Sequence, residues 1–235
     1  MKAAFYERYG AAAEVLRVGE LPDPVAGPGE VRVRVRFSGI NPSDCNRRRG
    51  IRDRPGYPVI VPHSDGAGVI DGVGEGVDPE RIGERVWLWN AQRGRAFGSA
   101  SELVALPAEQ AVPLPDEVPL EAGACLGVPA MTAWYSLFAD GDLEGLDVLV
   151  TGGAGAVGHY AVQFARLAGA RRVIATVSGE AKAAHVGRVS PDAVVNYRTE
   201  DVAARVMAAT AGRGIDRMSE VDFGGNLPAT MKILR

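Results

Sequence analysis

Residues 146–178 read LDVLVTGGAGAVGHYAVQFARLAGARRVIATVS, and this stretch decides the fold. A short apolar run is followed by a cluster of glycines, by apolar residues at helical spacing, and by a second apolar run. Short apolar runs bounded by turn residues are typical of buried strands, and the spacing i, i+3, i+4, i+7 is typical of a helix packed on one face. The stretch therefore predicts a strand, a glycine turn, a helix and a second strand.

The glycine cluster contains the pattern G-x-G-x-x-G at Gly153, Gly155 and Gly158. Between a strand and a helix this pattern is typical of a dinucleotide site, although an ordinary glycine-rich turn stays the alternative. We predict that Gly153 permits the tight turn, that Gly155 lets the backbone approach a pyrophosphate, and that Gly158 lets the helix pack closely. The N–H groups at the start of the helix, with Ala156 and Val157, would face the phosphates.

The residues after the second strand predict which dinucleotide is bound. NAD sites commonly place an acidic residue at this strand end to hold the ribose 2′-hydroxyl, whereas this sequence has Ser178 there. Lys182 adds a positive charge one turn into the next helix, and Glu180 lies on the loop between them. This combination suits a 2′-phosphate and predicts NADPH. The alternative for Lys182 is an ordinary solvated helix residue.

The second half of the chain continues this alternation of strands and helices. Such an order predicts a parallel sheet with crossover helices. We count about four strands, fewer than the six of a complete doubly wound sheet. The predicted strand runs are Val148–Val150, Val173–Val177, 193–196 and 217–222.

The first half of the chain has a different hydrophobic period. The segment EVRVRVRFSGI alternates Val31, Val33, Val35 and Phe37 with three arginines, which is typical of a half-buried strand. Proline and glycine are dense, and no helical period is apparent before about residue 120, so a barrel of short strands with long loops is predicted. A proline-rich segment sets the boundary, giving domains 1–118 and 119–235.

Composition excludes several classes of protein. The 235 residues are 46% apolar and carry a formal net charge of −3, which does not favour nucleic acid as a partner. The sequence has no apolar run of about 18 residues, so no membrane span is predicted. The N-terminal MKAAFYERYG lacks the apolar core of a signal peptide. Cys45 and Cys125 are too few for a disulfide framework. We expect a soluble cytoplasmic protein that binds neither nucleic acid nor membrane.

Several segments together resemble the medium-chain dehydrogenase/reductase superfamily, and within it the zinc-free quinone oxidoreductases related to zeta-crystallin. The resemblance runs along essentially the whole chain. It implies an α/β protein with an N-terminal GroES-like β-barrel and a C-terminal Rossmann-type parallel sheet, with the active site in the cleft between them. The segments are GEVRVRVRFSGINPSD, VPHSDGAGVI (for the family's Pro-Gly-x-Asp-x-Ala-Gly), GVPAMTAWYSL, TGGAGAVG and VVNYRTED.

The resemblance argues against a metal. Zinc-dependent relatives carry a cysteine where this sequence has Asn41 and a histidine where it has Ser64. A catalytic zinc needs about three protein ligands, and the four-cysteine structural lobe of those relatives is also missing. His63, near Asp65, lies one position before the place of that histidine, and no third ligand is apparent. We therefore predict no metal, and interpret His63 as a partly exposed loop residue rather than a catalytic one.

The resemblance also implies site residues. Asn41 would donate to a substrate carbonyl or hold the nicotinamide face, although an Asn-Pro turn explains it equally well. Thr132 matches a position near the nicotinamide, and Tyr197 matches a tyrosine near the adenosine phosphate. Relatives often carry a tyrosine in the substrate pocket where this chain has Asn46, which leaves the substrate open.

The implied activity is hydride transfer from NADPH to a quinone or another α,β-unsaturated carbonyl, without zinc. Two alternatives stay open: a reductase of the same superfamily that acts on an enone or enoyl thioester, and an NADPH-binding redox sensor or inactive fragment without turnover. Relatives continue through two more strands and dimerise through the last one. The resemblance therefore implies a truncated sheet here and a homodimer in the full-length form.

Overall fold

A computed structural model describes residues 1–51 and 56–235 of the chain. The chain divides into two compact units, Met1–Val128 and Pro129–Arg235.

The first unit is built mainly of antiparallel strands. Two sheets are present, a pair in the order β1-β2 and a five-stranded sheet in the order β6-β3-β4-β5-β7. The strands are β1 (Lys2–Phe5), β2 (Arg17–Glu20), β3 (Glu30–Gly39), β4 (Asp65–Val73), β5 (Arg85–Leu88), β6 (Leu103–Pro107) and β7 (Ala111–Pro113).

The alternation predicted for β3 holds at its start and fails at its end. Val31 and Val33 are fully buried in the core of the sheet. Phe37, predicted to face inward, is 39% exposed. The pairing register between β3 and β4 shifts between Val35 and Phe37. An extra residue in one strand turns the following side chains to the other face, which the alternating sequence does not reveal.

The first unit also contains helices, contrary to the expectation of none before about residue 120. They are α1 (Ala12–Val15), α2 (Pro42–Arg49) and α3 (Leu120–Gly123), with 3₁₀ turns at Pro79–Arg81 and Ala108–Gln110. The signals for α2 are at its ends rather than in an apolar period. Pro42 is at its first position, Asp44 accepts from the N–H of Asn41, and Gly50 ends it with a φ of 71°.

The boundary predicted at residue 118 assigns α3 to the second domain. In the structure α3 packs against β3, β4 and β5 of the first unit. At Gly123 an added Cβ would lie 3.2 Å from Ala67 Cβ, so the helix lies close against the sheet. The division between the units falls after Val128.

The second unit is a parallel sheet of four strands, as predicted, and their order is β10-β9-β8-β11. The predicted last run ends earlier than expected, at Ser219. The helix α4 (Gly127–Phe138) crosses the division between the units. The remaining elements are β8 (Asp147–Val150), α5 (Ala156–Leu167), β9 (Arg172–Val177), α6 (Glu180–Gly187), β10 (Ala193–Asn196), α7 (Val202–Ala209), β11 (Arg217–Ser219) and α8 (Phe223–Ile233).

Both faces of the parallel sheet are covered. On one face, Val148 and Val150 of β8 pack with Ala161 and Ala165 of α5. On the other, Leu149 packs with the residues of α7 and α8. Because the strands of this sheet are buried on both faces, their sequences are almost continuously apolar. No described helix has the length and hydropathy needed to cross a membrane.

An ion network joins the amino ends of three strands. The side chain of Asp147 is fully buried, and its two oxygens receive Arg171 at 3.0 Å (Nε to Oδ1) and at 2.5 Å (Nη2 to Oδ2). Arg172, Arg213 and Arg235 lie within 4.0 Å of the same carboxylate. The N–H of Asp147 donates to Asp216 Oδ2 at 2.8 Å. The network therefore ties β8 to the residues that begin β9 and precede β11.

Candidate functional site

The glycine turn follows β8 and is bonded to the neighbouring strand. The N–H groups of Gly152 and Gly153 donate to the side-chain oxygen and the carbonyl oxygen of Thr176, at 3.1 and 2.9 Å. The left-handed backbone of the turn is at Gly152, with a φ of 61°, and not at Gly153, the glycine predicted to permit the tight turn. Gly153 is instead required by packing, because an added Cβ would lie 2.8 Å from Ala175 Cβ.

The other two glycines allow close approach. At Gly158 an added Cβ would lie 2.3 Å from the carbonyl oxygen of Gly152, so the helix packs against the turn itself. At Gly155 the one neighbour within 4 Å of an added Cβ is Gly152 O, at 3.2 Å. The first hydrogen bond of α5 to its cap runs from His159 N–H to Gly155 O at 2.8 Å. The N–H groups of Ala156 and Val157 precede it and point out of the helix start.

Three further predicted cofactor residues lie at the carboxyl ends of β9 and β10. Ser178 follows β9 and is partly buried, and Lys182 is exposed in the first turn of α6. Tyr197 follows β10; its N–H donates to Val177 O at 3.1 Å, and 49% of the residue is exposed. Parallel strands bring their carboxyl ends to one edge, so these residues share an edge with the glycine turn. Thr132 lies exposed on α4.

In the first unit, Asn41 is buried and bonded to a carboxylate. Its side-chain N–H donates to Asp65 Oδ2 at 2.7 Å. The N–H of Val128 donates to both oxygens of Asp65, at 2.9 and 2.8 Å. Burial raises the pKa of Asp65 from 3.8 to about 6, against the lowering effect of these two donors. Above that pH the ionised carboxylate fixes which end of the Asn41 amide faces it.

A chain of hydroxyl groups connects Asp65 with His63. Ser99 Oγ donates to the carbonyl oxygen of Asp65 at 2.5 Å, and Ser38 Oγ lies 2.9 Å from Ser99 Oγ. Ser38 Oγ also lies 2.8 Å from His63 Nδ1. Burial lowers the pKa of His63, while the charge of Asp44 opposes that shift. Burial likewise raises the pKa of Asp44, which accepts from Asn41 N–H at 2.8 Å.

The structure thus brings Asn41 into one cluster with Asp65, Asp44 and His63. Asn46 lies partly buried further along α2. The sequence reasoning missed Asp44, Ser38 and Ser99 as cluster members. One local signal for Asp44 exists, since an acidic residue three positions after an Asn-Pro start is a helix-capping pattern. The two serines have no local signal, because their partners are 25 to 61 residues away in sequence.

Within residues 1–51 and 56–235, no three His, Cys, Asp or Glu side chains are grouped so that they could hold a metal ion. Asn41, at a position where zinc-dependent relatives carry a cysteine, uses its amide on Asp65 instead.

Two family models match the chain, one in each unit. The model described as "Alcohol dehydrogenase GroES-like domain" matches residues 27–116. The model described as "Zinc-binding dehydrogenase" matches residues 156–232. Together they confirm the predicted fold class.

Curated relatives include enzymes that reduce activated substrates. The chain is 34% identical over 209 residues to the quinone oxidoreductase of Pseudomonas aeruginosa, a match that covers 88% of this chain and 62% of the relative. It is 36% identical over 196 residues to the 2-haloacrylate reductase of a Burkholderia species, covering 81% and 57%. The chain therefore spans less than two thirds of the length of both relatives.

Solved structures match over the full length of this chain. The quinone oxidoreductase of Pseudomonas syringae superposes with a TM-score of 0.87 at 30% identity, covering 99% of this chain and 70% of that one. The Escherichia coli quinone oxidoreductase complexed with NADPH gives a TM-score of 0.87 at 26% identity, covering 100% and 70%.

Proposed function

Because the chain belongs to the medium-chain dehydrogenase/reductase superfamily, we propose that it transfers hydride from NADPH to a quinone or another α,β-unsaturated carbonyl, without a zinc ion. The observation that carries the proposal is the glycine turn at residues 152–158, where an added Cβ at Gly155, beside the start of α5, would meet one atom within 4 Å. The relatives named quinone oxidoreductase support the substrate class, and the one complexed with NADPH supports the cofactor.

The second unit would bind and orient the cofactor. The free N–H groups of Ala156 and Val157 and the positive end of the α5 dipole would hold the pyrophosphate, where Gly155 has no side chain in the way. Ser178 and Lys182 would hold the 2′-phosphate, with Tyr197 and Thr132 as further contacts. When bound, NADPH supplies the hydride, and the protein supplies position and electrostatics.

Asn41 would act on the substrate side. Only one of its two side-chain N–H bonds is needed for Asp65, so the second can donate to a carbonyl oxygen as negative charge develops there. The Asp65 carboxylate holds the amide in that orientation. Asn46 is proposed to line the substrate pocket, as the family resemblance suggests.

Zinc independence rests on the chemistry of the donor set. The amide of Asn41 and the hydroxyl of Ser64 are poor zinc ligands beside the Cys and His side chains that zinc prefers. Metal analysis by mass spectrometry should therefore find less than stoichiometric zinc, and a chelator should leave turnover unchanged. Loss of turnover on chelation, restored by zinc, would contradict this part. A cytoplasmic location stays a prediction from composition, and a homodimer of the full-length form stays a prediction from the resemblance.

The test is a titration of the protein with NADPH and with NADH, followed by nicotinamide fluorescence. We expect tighter binding of NADPH, and then NADPH oxidation with members of a panel of quinones and enones. The Gly155→Ala variant should fold, since its Cβ meets one atom within 4 Å, but should bind NADPH poorly. Gly187→Ala, where an added Cβ meets nothing within 4 Å, is the matched control. Failure of the wild-type protein to bind either nucleotide would refute the proposal.

A second candidate is reduction of an activated alkene rather than a quinone. The relative named 2-haloacrylate reductase favours it. Product analysis separates the two, because a quinone gives a hydroquinone and an enone gives a saturated carbonyl. Tight NADPH binding without turnover on either class would favour the non-enzymatic reading.

A further inference from the structure

The hydrogen bonds around His63 have only one consistent direction. The carbonyl oxygen of Asp65 can only accept, so the hydroxyl proton of Ser99 is committed to it at 2.5 Å. The 2.9 Å contact between Ser38 and Ser99 then requires Ser38 to donate. Ser38 has no second proton to offer, so the 2.8 Å contact with His63 requires Nδ1–H of His63 to be the donor.

This direction fixes the tautomer of His63. The proton on Nδ1 is held by Ser38, so the proton that is gained and lost is the one on Nε2. No group in the described ranges hydrogen-bonds to Nε2, and the residue is partly exposed. Among residues 1–51 and 56–235, the one ionisable group whose charge acts on His63 is Asp44 of α2, which itself lies near Arg47.

The backbone of His63 gives an independent observation. Its φ is 80°, a left-handed conformation that suits glycine and strains a side chain with a β-carbon. The family segment that VPHSDGAGVI resembles has glycine at this position. A histidine kept in strained backbone and bonded through two serines is a candidate for a functional role.

His63 also belongs to the cluster that holds Asn41. The side chain of Asn41 donates to the side chain of Asp65, and the carbonyl oxygen of Asp65 accepts from Ser99. Ser38 is hydrogen-bonded to both Ser99 and His63. Asp44 connects the two ends, because it accepts from Asn41 N–H and its charge acts on His63. Ser38 pairs with Gly66 and Gly39 pairs with Asp65, so the end of β3 lies beside the start of β4. Asn41, which follows β3, and His63, which precedes β4, therefore lie at the same end of this strand pair.

We propose that His63 Nε2 exchanges a proton with the substrate oxygen that Asn41 holds, with Ser38 as the positioning residue. This inference rests on the proposed function. In enone reduction the hydride forms the new C–H bond at the β-carbon, the Nε2–H bond of the imidazolium breaks as its proton goes to the enolate oxygen, and the enol tautomerises to the saturated carbonyl. In quinone reduction the hydride supplies two electrons and one hydrogen and Nε2 supplies the second hydrogen as a proton, so that both oxygens of the hydroquinone carry a hydrogen. The imidazole that remains keeps Nδ1–H on Ser38, and Nε2 regains a proton from water.

The tautomer is tested without any cofactor. The chain has three histidines, so long-range ¹H–¹⁵N spectra of histidine-labelled protein resolve them. We expect His63 to carry Nδ1–H in the neutral state, and Ser38→Ala to shift it toward Nε2–H. A wild-type His63 in the Nε2–H form overturns the inference.

The catalytic role is tested with His63→Gly, which relieves the backbone strain. We expect an equal or higher melting temperature, unchanged NADPH affinity, and turnover lower by about 100-fold, the usual size of general acid catalysis. In the wild type, turnover should fall as pH rises through the pKa of His63, and the variant should lose this dependence. His63→Asn, which tolerates left-handed backbone, should behave likewise, and His185→Asn is the control.

The outcomes separate this inference from the proposed function. Wild-type turnover with an unchanged rate and pH profile in His63→Gly overturns the role of His63 alone. NADPH binding without turnover on any quinone or enone by the wild-type protein refutes the proposed reductase, and the role of His63 with it. A lower melting temperature in His63→Gly together with the lost rate would mark His63 as structural and also overturn the inference.

Discussion

Asn41 and Asp65 form a buried pair, in which the side-chain amide of Asn41 donates to Asp65 Oδ2 at 2.7 Å. The pair is enclosed by two close backbone approaches. An added Cβ at Gly127 would lie 2.2 Å from Asp65 Oδ1, and one at Gly39 would lie 3.0 Å from Asp65 Cβ. Since neither neighbour can carry a side chain, Asp65 has little room to move, and its orientation determines that of Asn41.

The raised pKa of Asp65 predicts a specific pH dependence of stability. Its pKa is about 6 in the folded protein against 3.8 ordinarily, so the folded state keeps a proton that the unfolded chain loses between these values. The contribution of Asp65 is therefore fully present below about pH 4 and is lost as pH rises through 6, by about 3 kcal/mol. Urea unfolding of wild type and Asp65→Asn across this range should show this component in the wild type alone. Parallel curves would contradict it.

Gly158→Ala should disrupt the turn. The added Cβ would lie 2.3 Å from Gly152 O, and a backbone oxygen cannot move aside cheaply. We expect a loss of about 2 kcal/mol or more in the free energy of unfolding. Gly224→Ala in α8 has nothing within 4 Å of its Cβ and should change stability little. Equal stabilities of the two variants would show that the close approach is not required.

Ser178→Asp should change the preferred dinucleotide. A carboxylate at the end of β9 repels a 2′-phosphate and accepts from a ribose hydroxyl. We expect NADPH affinity to fall by at least about tenfold and NADH affinity to rise, as measured by fluorescence titration. Ser190→Asp adds the same charge in an exposed left-handed position after α6, at the other end of the sheet, and should affect neither. An unchanged preference would remove Ser178 from the cofactor site.

Asp147→Asn should weaken the ion network. Burial alone would raise the pKa of Asp147, but the hydrogen bond and charge of Arg171, with Arg172 and Arg213, lower it. Its contribution is therefore present above pH 3.8 and is lost as pH falls through the lowered pKa. Near pH 7 we expect a loss of about 2 kcal/mol, less than for a fully buried pair because the arginines are 29–44% exposed.

The control for Asp147 is an exposed pair of the first unit. Glu7 and Arg17 meet at 3.2 Å with half or more of each side chain exposed, so Glu7→Gln should cost less than about 1 kcal/mol. The difference in stability between wild type and Asp147→Asn should shrink in acid. A difference that does not shrink as pH falls below 3.8 would assign it to packing rather than to charge.

The second unit could be predicted well because its signals are local. Apolar runs and helical spacing occur within stretches of ten or twenty residues, and each strand connects to the next by one helix. The sequence did not show which glycine takes the left-handed backbone, because Gly152 and Gly153 are adjacent, and a pattern of glycines does not distinguish the residue that turns from the one that packs.

The first unit was harder because its organisation depends on distant residues. The bulge near Phe37 arises from pairing with β4, which begins 28 residues later, and alternation alone cannot show it. The cluster of Asn41 and His63 likewise depends on Ser99, whose hydrogen-bond partners Ser38 and Asp65 are 61 and 34 residues away in sequence. Single residues such as Asp44 can be recognised from helix capping, but the network they form is a property of the assembled sheet.

The ion network at Asp147 has a consequence for how this protein can diversify. It fastens the amino ends of β8, β9 and β11, whereas the glycine turn, Ser178 and Tyr197 lie at the carboxyl ends. Under the proposed function, mutations that change ligand preference therefore fall at the opposite ends of the strands from the residues of this network. Substitutions at the carboxyl ends of the strands can therefore alter specificity with little loss of folding stability. Proteins that share this fold can change their substrates while the ion network at the amino ends stays constant.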